Sequence, residues 1–407
     1  MKKLTLVLLS LASVSAQAKP IEIPSEAARI EFIRNGDVWG RPAWVDENFN
    51  FDPNFKLSEV HEIKPGKDTI LARSKVYCIN NGTKLVFNGK TDKFECQLLD
   101  QVNGKHIPQV KEKNGKPEDI KVKYNFLDKN GNPDPKADNK EIWSEVLASR
   151  VLRAIGFTAD KMYFTSVDCF GCSTHPNSDP KQDSTSMVKP RSFSPVAIED
   201  KPKGEEMAFG KIEGFTGGEM NKYFSSDLIK AKKQKEERDA LSLMMAFLQH
   251  ADNKAENQRM LCKETDPTGK ICTGKVVLYL QDLGGTFGKG TEGFYPSKVN
   301  FDGWKKTPIW KDAANCQASL GKHGSGDKAS MDPIVTEEGR ALLAKLLGGL
   351  TAGPQGRQRI IDLFKSVNIA QRKEKTASAE AWADVFISKV EQIKNARCKL
   401  TVHDIIK

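Results

Sequence analysis

The segment His250-Ala-Asp-Asn-Lys-Ala-Glu-Asn257 carries the densest functional chemistry in this sequence. It follows residues 225–249, whose apolar periodicity predicts a helix, so a short polar loop begins where that helix ends. Asp252 and Asn257 supply a carboxylate and an amide oxygen, which are ligand types that Mg²⁺ prefers. Lys254 adds a cation between them. These groups are suited to holding a phosphate and positioning a hydroxyl group beside it.

A second acidic motif lies further along the chain. Asp282-Leu-Gly284 follows the short apolar run 276–280, which predicts a buried strand. Asp282 is therefore the candidate for a second metal ligand, opposite Asn257. The stretch that separates the two motifs contains Cys262 and Cys272 on either side of a turn-rich segment, which predicts a disulfide-stapled hairpin.

Phosphate chemistry also calls for a buried lysine with a glutamate partner. The alternation over residues 119–124 predicts a strand in which Lys121 and Lys123 share one face, and we favour Lys123. The strong apolar periodicity over residues 141–155 predicts a helix. Glu145 in that helix is the expected partner, and Glu141 is the alternative.

A turn that covers the phosphates is expected before this lysine, in the segment Asn88 to Phe94. Gly89 permits close approach of the backbone, although a plain hairpin turn explains the same residues. Three side chains of the segment are candidate phosphate donors: Lys90, Thr91 and Lys93. The predicted strand 196–199 is the candidate to meet adenine through its backbone.

The ordered motifs resemble those of the protein-kinase-like superfamily, whose catalytic loop reads H-R-D-x-x-x-x-N and whose metal motif reads D-F-G. The helix that begins with Glu145 and ends at Gly156 is similar to that of the HipA-type and phosphoinositide-kinase-like branch. The resemblance implies a two-lobed α+β fold that uses ATP and magnesium. Asp252 would then accept the hydroxyl proton, and Lys254 would reach the transferred phosphate.

One residue departs from the kinase pattern. Ala251 replaces the arginine that often contacts a phosphorylated activation loop, so control of that kind is not expected. The remaining order of elements, strands followed by a helix, strands and then mainly helices, agrees with the resemblance. We therefore expect an N-terminal arm at 19–60, a β-rich N-lobe at 61–204 and a helical C-lobe at 205–407.

The first residues predict export. Two lysines precede the apolar run 4–14, and Ala16-Gln-Ala18 is a small-residue cleavage site, so residues 1–18 are expected to be a signal peptide. No later stretch is apolar for long enough to span a membrane. We therefore expect a periplasmic or secreted protein.

The eight cysteines are an even number, as is typical of disulfide-bonded exported proteins. Proximity in the sequence favours four pairs: Cys78–Cys96, Cys169–Cys172, Cys262–Cys272 and Cys316–Cys398. The Cys169-Phe-Gly-Cys172 motif also has redox and zinc interpretations, but no second C-x-x-C accompanies it and a polar loop rather than a helix follows it.

The formal net charge of +10 favours anionic partners in a general way, but the basic residues are dispersed among acidic ones, which argues against specific nucleic-acid binding. The leading hypothesis is an exported phosphotransferase. The acceptor hydroxyl, on a protein, a sugar or a lipid, is left open. Two alternatives are a pseudokinase that acts as a binding protein, since extracytoplasmic space holds little ATP, and a kinase-like nucleotidyl transferase.

Overall fold

The computed structural model of the chain describes residues 20–57, 67–80, 92–102, 105–108, 119–128, 130–132, 134, 139–179, 181–212, 214–288, 299–320, 326–371 and 377–407. The predicted signal peptide lies outside these residues. So do the predicted strand 83–87 and the three candidate phosphate-turn residues Gly89, Lys90 and Thr91.

The described residues form a mixed α/β fold. The strands are β1 (Ile21–Glu22), β2 (Lys75–Ile79), β3 (Lys93–Val102), β4 (Lys105–Pro108), β5 (Asp119–Tyr124), β6 (Lys161–Phe170), β7 (Arg191–Asp200), β8 (Glu205–Ala208), β9 (Gln258–Cys262), β10 (Val276–Leu280), β11 (Trp310–Asp312) and β12 (Gln317–Ala318). The helices are α1 (Glu26–Asn35), α2 (Lys67–Leu71), α3 (Glu141–Ala154), α4 (Gly217–Met220), α5 (Leu228–Leu248), α6 (Phe301–Lys306), α7 (Lys328–Met331), α8 (Glu337–Thr351), α9 (Gly356–Lys365), α10 (Ala379–Asn395) and α11 (Val402–Ile405).

The larger sheet has the strand order β2-β6-β7-β5-β3-β4, and β2 also pairs with β3. That additional pairing closes five of the strands into a small barrel. Alternation along β5 turns Ile120, Val122 and Tyr124 into the apolar interior. The lysines at 121 and 123 consequently lie on the outer face.

The helix α3 is almost entirely buried against this outer face, with close contacts to β6 and β7. Its carboxyl end is held by the N-terminal arm, residues 20–57. The indole N–H of Trp39 donates to the carbonyl of Ile155 at 2.7 Å, and that of Trp44 donates to the carbonyl of Ala154 at 2.8 Å. These donors satisfy carbonyls that have no partner within the helix.

A second sheet of β1, β8, β9 and β10 lies beside the helical part of the chain. The strands β9 and β10 form an antiparallel hairpin, and a disulfide joins Cys262, the last residue of β9, to Cys272 in the connection that leads to β10. The predicted stapled hairpin is therefore confirmed. The strand β9 itself was not predicted, because its apolar run, residues 260–262, is only three residues long.

The four disulfides in the structure are the four that sequence proximity favours, with Cα separations between 5.3 and 5.7 Å. Cys169 and Cys172 form a bond at the end of β6, which supports the structural interpretation of that motif. Among the described residues, no helix is both long and apolar enough to cross a membrane.

The helix α5 ends at a residue in the left-handed conformation, Gln249, at φ 54°. This ends the helix abruptly and turns the chain into the polar segment that begins at His250. Below it, α8, α9 and α10 bury an aromatic cluster that includes Trp304 and Trp382. Predicted helix boundaries agree within a few residues, but α1, which is capped by Ser25, was not expected.

We expect Trp44→Phe to lower the free energy of unfolding by about 1 kcal/mol, because the carbonyl of Ala154 loses its hydrogen bond while the aromatic packing is largely kept. Urea denaturation followed by circular dichroism measures the change. Trp310→Phe is the matched control, since its indole bonds the carbonyl of Gln392 at an exposed position. Equal stability of wild type and Trp44→Phe would show that this cap contributes nothing.

Candidate functional site

Lys123 on β5 lies at the centre of a cluster of carboxylates and is only 2% exposed. Its Nζ contacts the carboxylate of Glu145, lies 3.2 Å from Oδ1 of Asp282 and 3.7 Å from Oε2 of Glu141. The two glutamates are four residues apart on α3, so both face the lysine. Three segments that are distant in the sequence therefore meet at one ammonium group.

Burial and the neighbouring carboxylates have opposite effects on the pKa of Lys123. Burial alone would lower the pKa of Lys123, but the carboxylates of Asp282 and Glu145 raise it above its ordinary value, so the lysine stays charged. The same lysine holds the pKa of Asp282 well below its usual range. Burial raises the pKa of Glu145 to about 8, against the opposing effect of Lys123.

The neighbouring lysines are placed differently. Lys121 donates to Oε2 of Glu199 at 2.6 Å, so the structure pairs it with β7 instead of α3. Lys93 lies directly across from Lys123 in the β3–β5 register. Burial lowers the pKa of Lys93, and the charges of Lys123 and Lys121 lower it further. Lys93, Lys121 and Lys123 therefore lie close together, with carboxylates from α3, β7 and the Asp282 segment among them.

The segment that follows α5 folds back on itself. Nδ2 of Asn257 donates to both the carbonyl and Oδ2 of Asp252 at 2.9 Å. Nζ of Lys254 lies 3.3 Å from the same Oδ2. The side chains of Asp252 and Lys254 are 36% and 43% exposed, so solvent and solutes can reach both. Glu256 is exposed beside them.

The segment that contains Asp282 joins these parts together. The amide of Ala251 donates to the carbonyl of Gly285 at 2.7 Å, and the amide of Gln281 donates to the carbonyl of Asn257 at 3.0 Å. On the other side, the hydroxyl of Ser144 on α3 donates to the carbonyl of Gly284 at 2.6 Å. The Asp282 segment therefore touches both α3 and the 250–257 segment.

Glycine is required within this junction. A Cβ at Gly284 would lie 2.6 Å from Cγ of Glu141, so any larger residue would push that glutamate away from Lys123. Asp282 itself has φ 51°, a conformation that non-glycine residues rarely adopt. The glycine of the motif Asp282-Leu-Gly284 is therefore required for steric reasons.

His250 is completely buried, and burial lowers its pKa to about 4. Neither ring nitrogen has a hydrogen-bond partner among the described residues. The imidazole is thus neutral and inaccessible at neutral pH. It packs beneath the loop, whereas the carboxylates of Asp252 and Glu256 are accessible to solvent.

The donor set suits a hard cation that prefers oxygen ligands. Carboxylate oxygens of Glu141, Glu145 and Asp282 lie within 4.8 Å of one another. Oε2 of Glu145 is buried without a hydrogen-bond partner. Since Nδ2 of Asn257 is committed to Asp252, its amide oxygen is the atom that remains for a metal. Because both glutamates face the ammonium group of Lys123, Asp282 and Asn257 are the residues that fit Mg²⁺.

One predicted role is wrong. The strand 196–199 was expected to offer its backbone to adenine, but β7 pairs with β5 on one edge and with β6 on the other. Its backbone groups are therefore occupied within the sheet. The contribution of Ser144 was also not anticipated, because nothing in a helical pattern identifies a hydroxyl that bonds a distant carbonyl.

We expect Lys123→Met to destabilise the protein by about 3–5 kcal/mol near pH 8, because it leaves buried carboxylates without a counter-charge. Their pKa values would rise in the folded state, so the folded protein would bind extra protons and the loss would be smaller near pH 5. Urea denaturation at both pH values measures this. Lys75→Met, which removes a half-exposed partner of Asp168, is the control and should show little change. A loss that is independent of pH would contradict the assigned electrostatics.

Neither protein-family models nor curated proteins match this sequence. Among solved structures, the Helicobacter pylori proinflammatory kinase CtkA is similar, with 12% identity and a TM-score of 0.38 over 75% of this chain and 90% of that one. HipA of the Shewanella oneidensis toxin–antitoxin system, in a complex with HipB and operator DNA, is similar with 10% identity and a TM-score of 0.31 over 79% and 68%. Both TM-scores are below 0.5, so these similarities carry no argument for function. Any functional assignment rests on the residues of the site.

Proposed function

We propose that this protein is an ATP- and Mg²⁺-dependent phosphotransferase that acts on a hydroxyl group. The observation that carries the proposal is the meeting of Lys123, Glu145 and Asp282 from three distant segments. The segment with Asp252 and Asn257 is hydrogen-bonded to the residues that flank Asp282. A charged lysine, oxygen ligands and an accessible carboxylate are the groups that phosphoryl transfer needs.

Each residue then has a distinct role. Lys123 would bind the α- and β-phosphates of ATP, exchanging part of its carboxylate contacts for phosphate oxygens. Glu145 would keep the ammonium group in place while this exchange occurs. Lys93, which faces Lys123 across the strands, would donate to the same phosphates. Asn257 and Asp282 would hold the magnesium ion, which neutralises phosphate charge when bound.

In the transfer step, the acceptor hydroxyl oxygen forms a bond to the γ-phosphorus, the bond between that phosphorus and the bridging oxygen breaks, and ADP leaves. Asp252 would take the hydroxyl proton. Its Oδ2 already accepts from Asn257, which fixes the orientation of the carboxylate. Lys254, close to the same oxygen and half exposed, would offset the charge of the transferred group.

We further propose that the protein works in an oxidising compartment outside the cytoplasm. The four disulfides support this, since such bonds persist mainly in exported proteins. Three of the four link cysteines that are at least 10 residues apart in the sequence, so they cross-link the fold substantially. The acceptor would then be a protein, sugar or lipid hydroxyl that is accessible in that compartment.

The proposal predicts that a substitution can remove phosphate transfer while it leaves ATP binding intact. Asp252→Asn should keep the stabilisation that ATP and MgCl₂ give in a thermal-shift titration, but lower the rate of ATP-dependent transfer at least about 100-fold, the usual contribution of a catalytic base. Asp282→Asn should lose the metal-dependent part of the thermal shift.

Glu256→Gln is the matched control, since it removes an exposed carboxylate from the same segment, and it should retain both properties. The products should be ADP and a phosphorylated acceptor by mass spectrometry. An acceptor that carries AMP would instead identify a nucleotidyl transferase. Binding of ATP without any product would identify a pseudokinase, and full activity of Asp252→Asn would overturn the assignment of the base.

A further inference from the structure

A cavity of about 620 Å³ lies between the N-terminal arm, α5 and the residue that precedes β10. None of the site residues described above lines it. The volume is within the range of pockets that bind small organic molecules. The arm contributes one wall, and the first three turns of α5 contribute the other.

The arm wall is aromatic. Trp39 and Phe49 line the cavity with their rings stacked at a centroid distance of 6.3 Å. The indole N–H of Trp39 is committed to the carbonyl of Ile155, so the ring is fixed in position. Nζ of Lys345 lies 5.6 Å from the centre of the Phe49 ring. A fixed aromatic face of this kind suits the apolar face of a ligand ring.

The rim of the cavity is cationic. Side chains from the arm, from α5 and from the loop before β10 contribute the positive charges: Arg41, Lys230, Lys233 and Lys275. The acidic residues among the lining are Asp37, which pairs with Lys275 at 2.6 Å, and Glu237, which lies 3.7 Å from Lys233. Positive charge therefore exceeds negative charge around the cavity, and an anion would complete the balance.

Glu237 forms part of the cavity lining and is only 5% exposed. Burial raises its pKa to about 7, so its carboxyl group can both accept and donate a hydrogen bond near neutrality. The amide of Gln234 beside it is already committed to the carbonyl of Arg34 and the amide of Ser225. A hydroxyl-bearing ligand would therefore find its polar partner in Glu237.

We propose that this cavity binds a small organic phosphate that carries hydroxyl groups, at a site separate from the one proposed for ATP. The phosphate would lie among the cations of the rim, where Lys233 and Lys275 approach from different elements. The hydroxyl groups would bond Glu237, and the body of the ligand would lie against Trp39. The combination of cations, a carboxyl group and an aromatic face is what selects this class over a bare anion.

Isothermal titration of the full chain with glucose 6-phosphate and glycerol 3-phosphate tests the proposal. At least one probe should bind saturably, and more tightly than inorganic phosphate. The double variant Lys233→Met/Lys275→Met should weaken that binding at least about tenfold, since two charge-assisted contacts are lost. Lys232→Met is the matched control, because it removes a neighbouring lysine of α5 that does not line the cavity. It should bind as the wild type does.

The variant Lys123→Met distinguishes this site from the proposed ATP site. Binding of the probe should persist in that variant under conditions in which circular dichroism shows the protein to be folded. The double variant should keep the wild-type melting temperature within a few degrees, since its lysines are exposed. Absence of binding by both probes would overturn the proposal. So would equal binding of inorganic phosphate, or binding that the double variant leaves unchanged. If ATP fails to bind in the thermal-shift titration but the probe does bind here, the proposed function fails and this inference stands.

Discussion

The packing around Lys123 is the constraint on which the rest of the site depends. An ammonium group that is nearly excluded from water is tolerable only because Glu145, Glu141 and Asp282 surround it. Those carboxylates come from a helix and a loop, so satisfying one charge fixes the positions of both relative to β5. The same electrostatic requirement therefore determines the fold around Lys123 and the geometry of the site. Burial of the Lys123 ammonium group carries the main desolvation cost.

The helix α3 connects the surroundings of Lys123 to the N-terminal arm. Its amino end carries the glutamates and the hydroxyl that meets Gly284, while its carboxyl end is capped by the indoles of the arm. A helix that is fixed at both ends and buried along its length has little freedom to swing outward.

Much of the fold and of the candidate site could be predicted from the sequence, for physical reasons that differ between residues. Periodicity predicted α3 and α5 well because both helices bury long apolar faces, and strict alternation predicted β5. The choice of Lys123 over Lys121 could not be settled from alternation, since both share one face and only the positions of α3 and Glu199 separate them. The closed barrel requires β2 to pair with β6 as well as with β3, and the pairing with β6 is a non-local contact that local patterns do not encode. The helix α1 was missed because its apolar face is short and interrupted by charges.

The contacts of the N-terminal arm affect the order in which the chain can fold. Its aromatic and carbonyl groups meet partners very late in the sequence: Arg359 donates to the carbonyl of Phe55, 304 residues earlier. This contact between the arm and α9 can therefore form only after a further 304 residues have been synthesised. Contacts of such long sequence separation slow folding. The indoles of Trp39 and Trp44 can bond the end of α3 once residues 154 and 155 have followed them, whereas the carbonyl of Phe55 must wait for α9, so the arm is expected to dock in two stages.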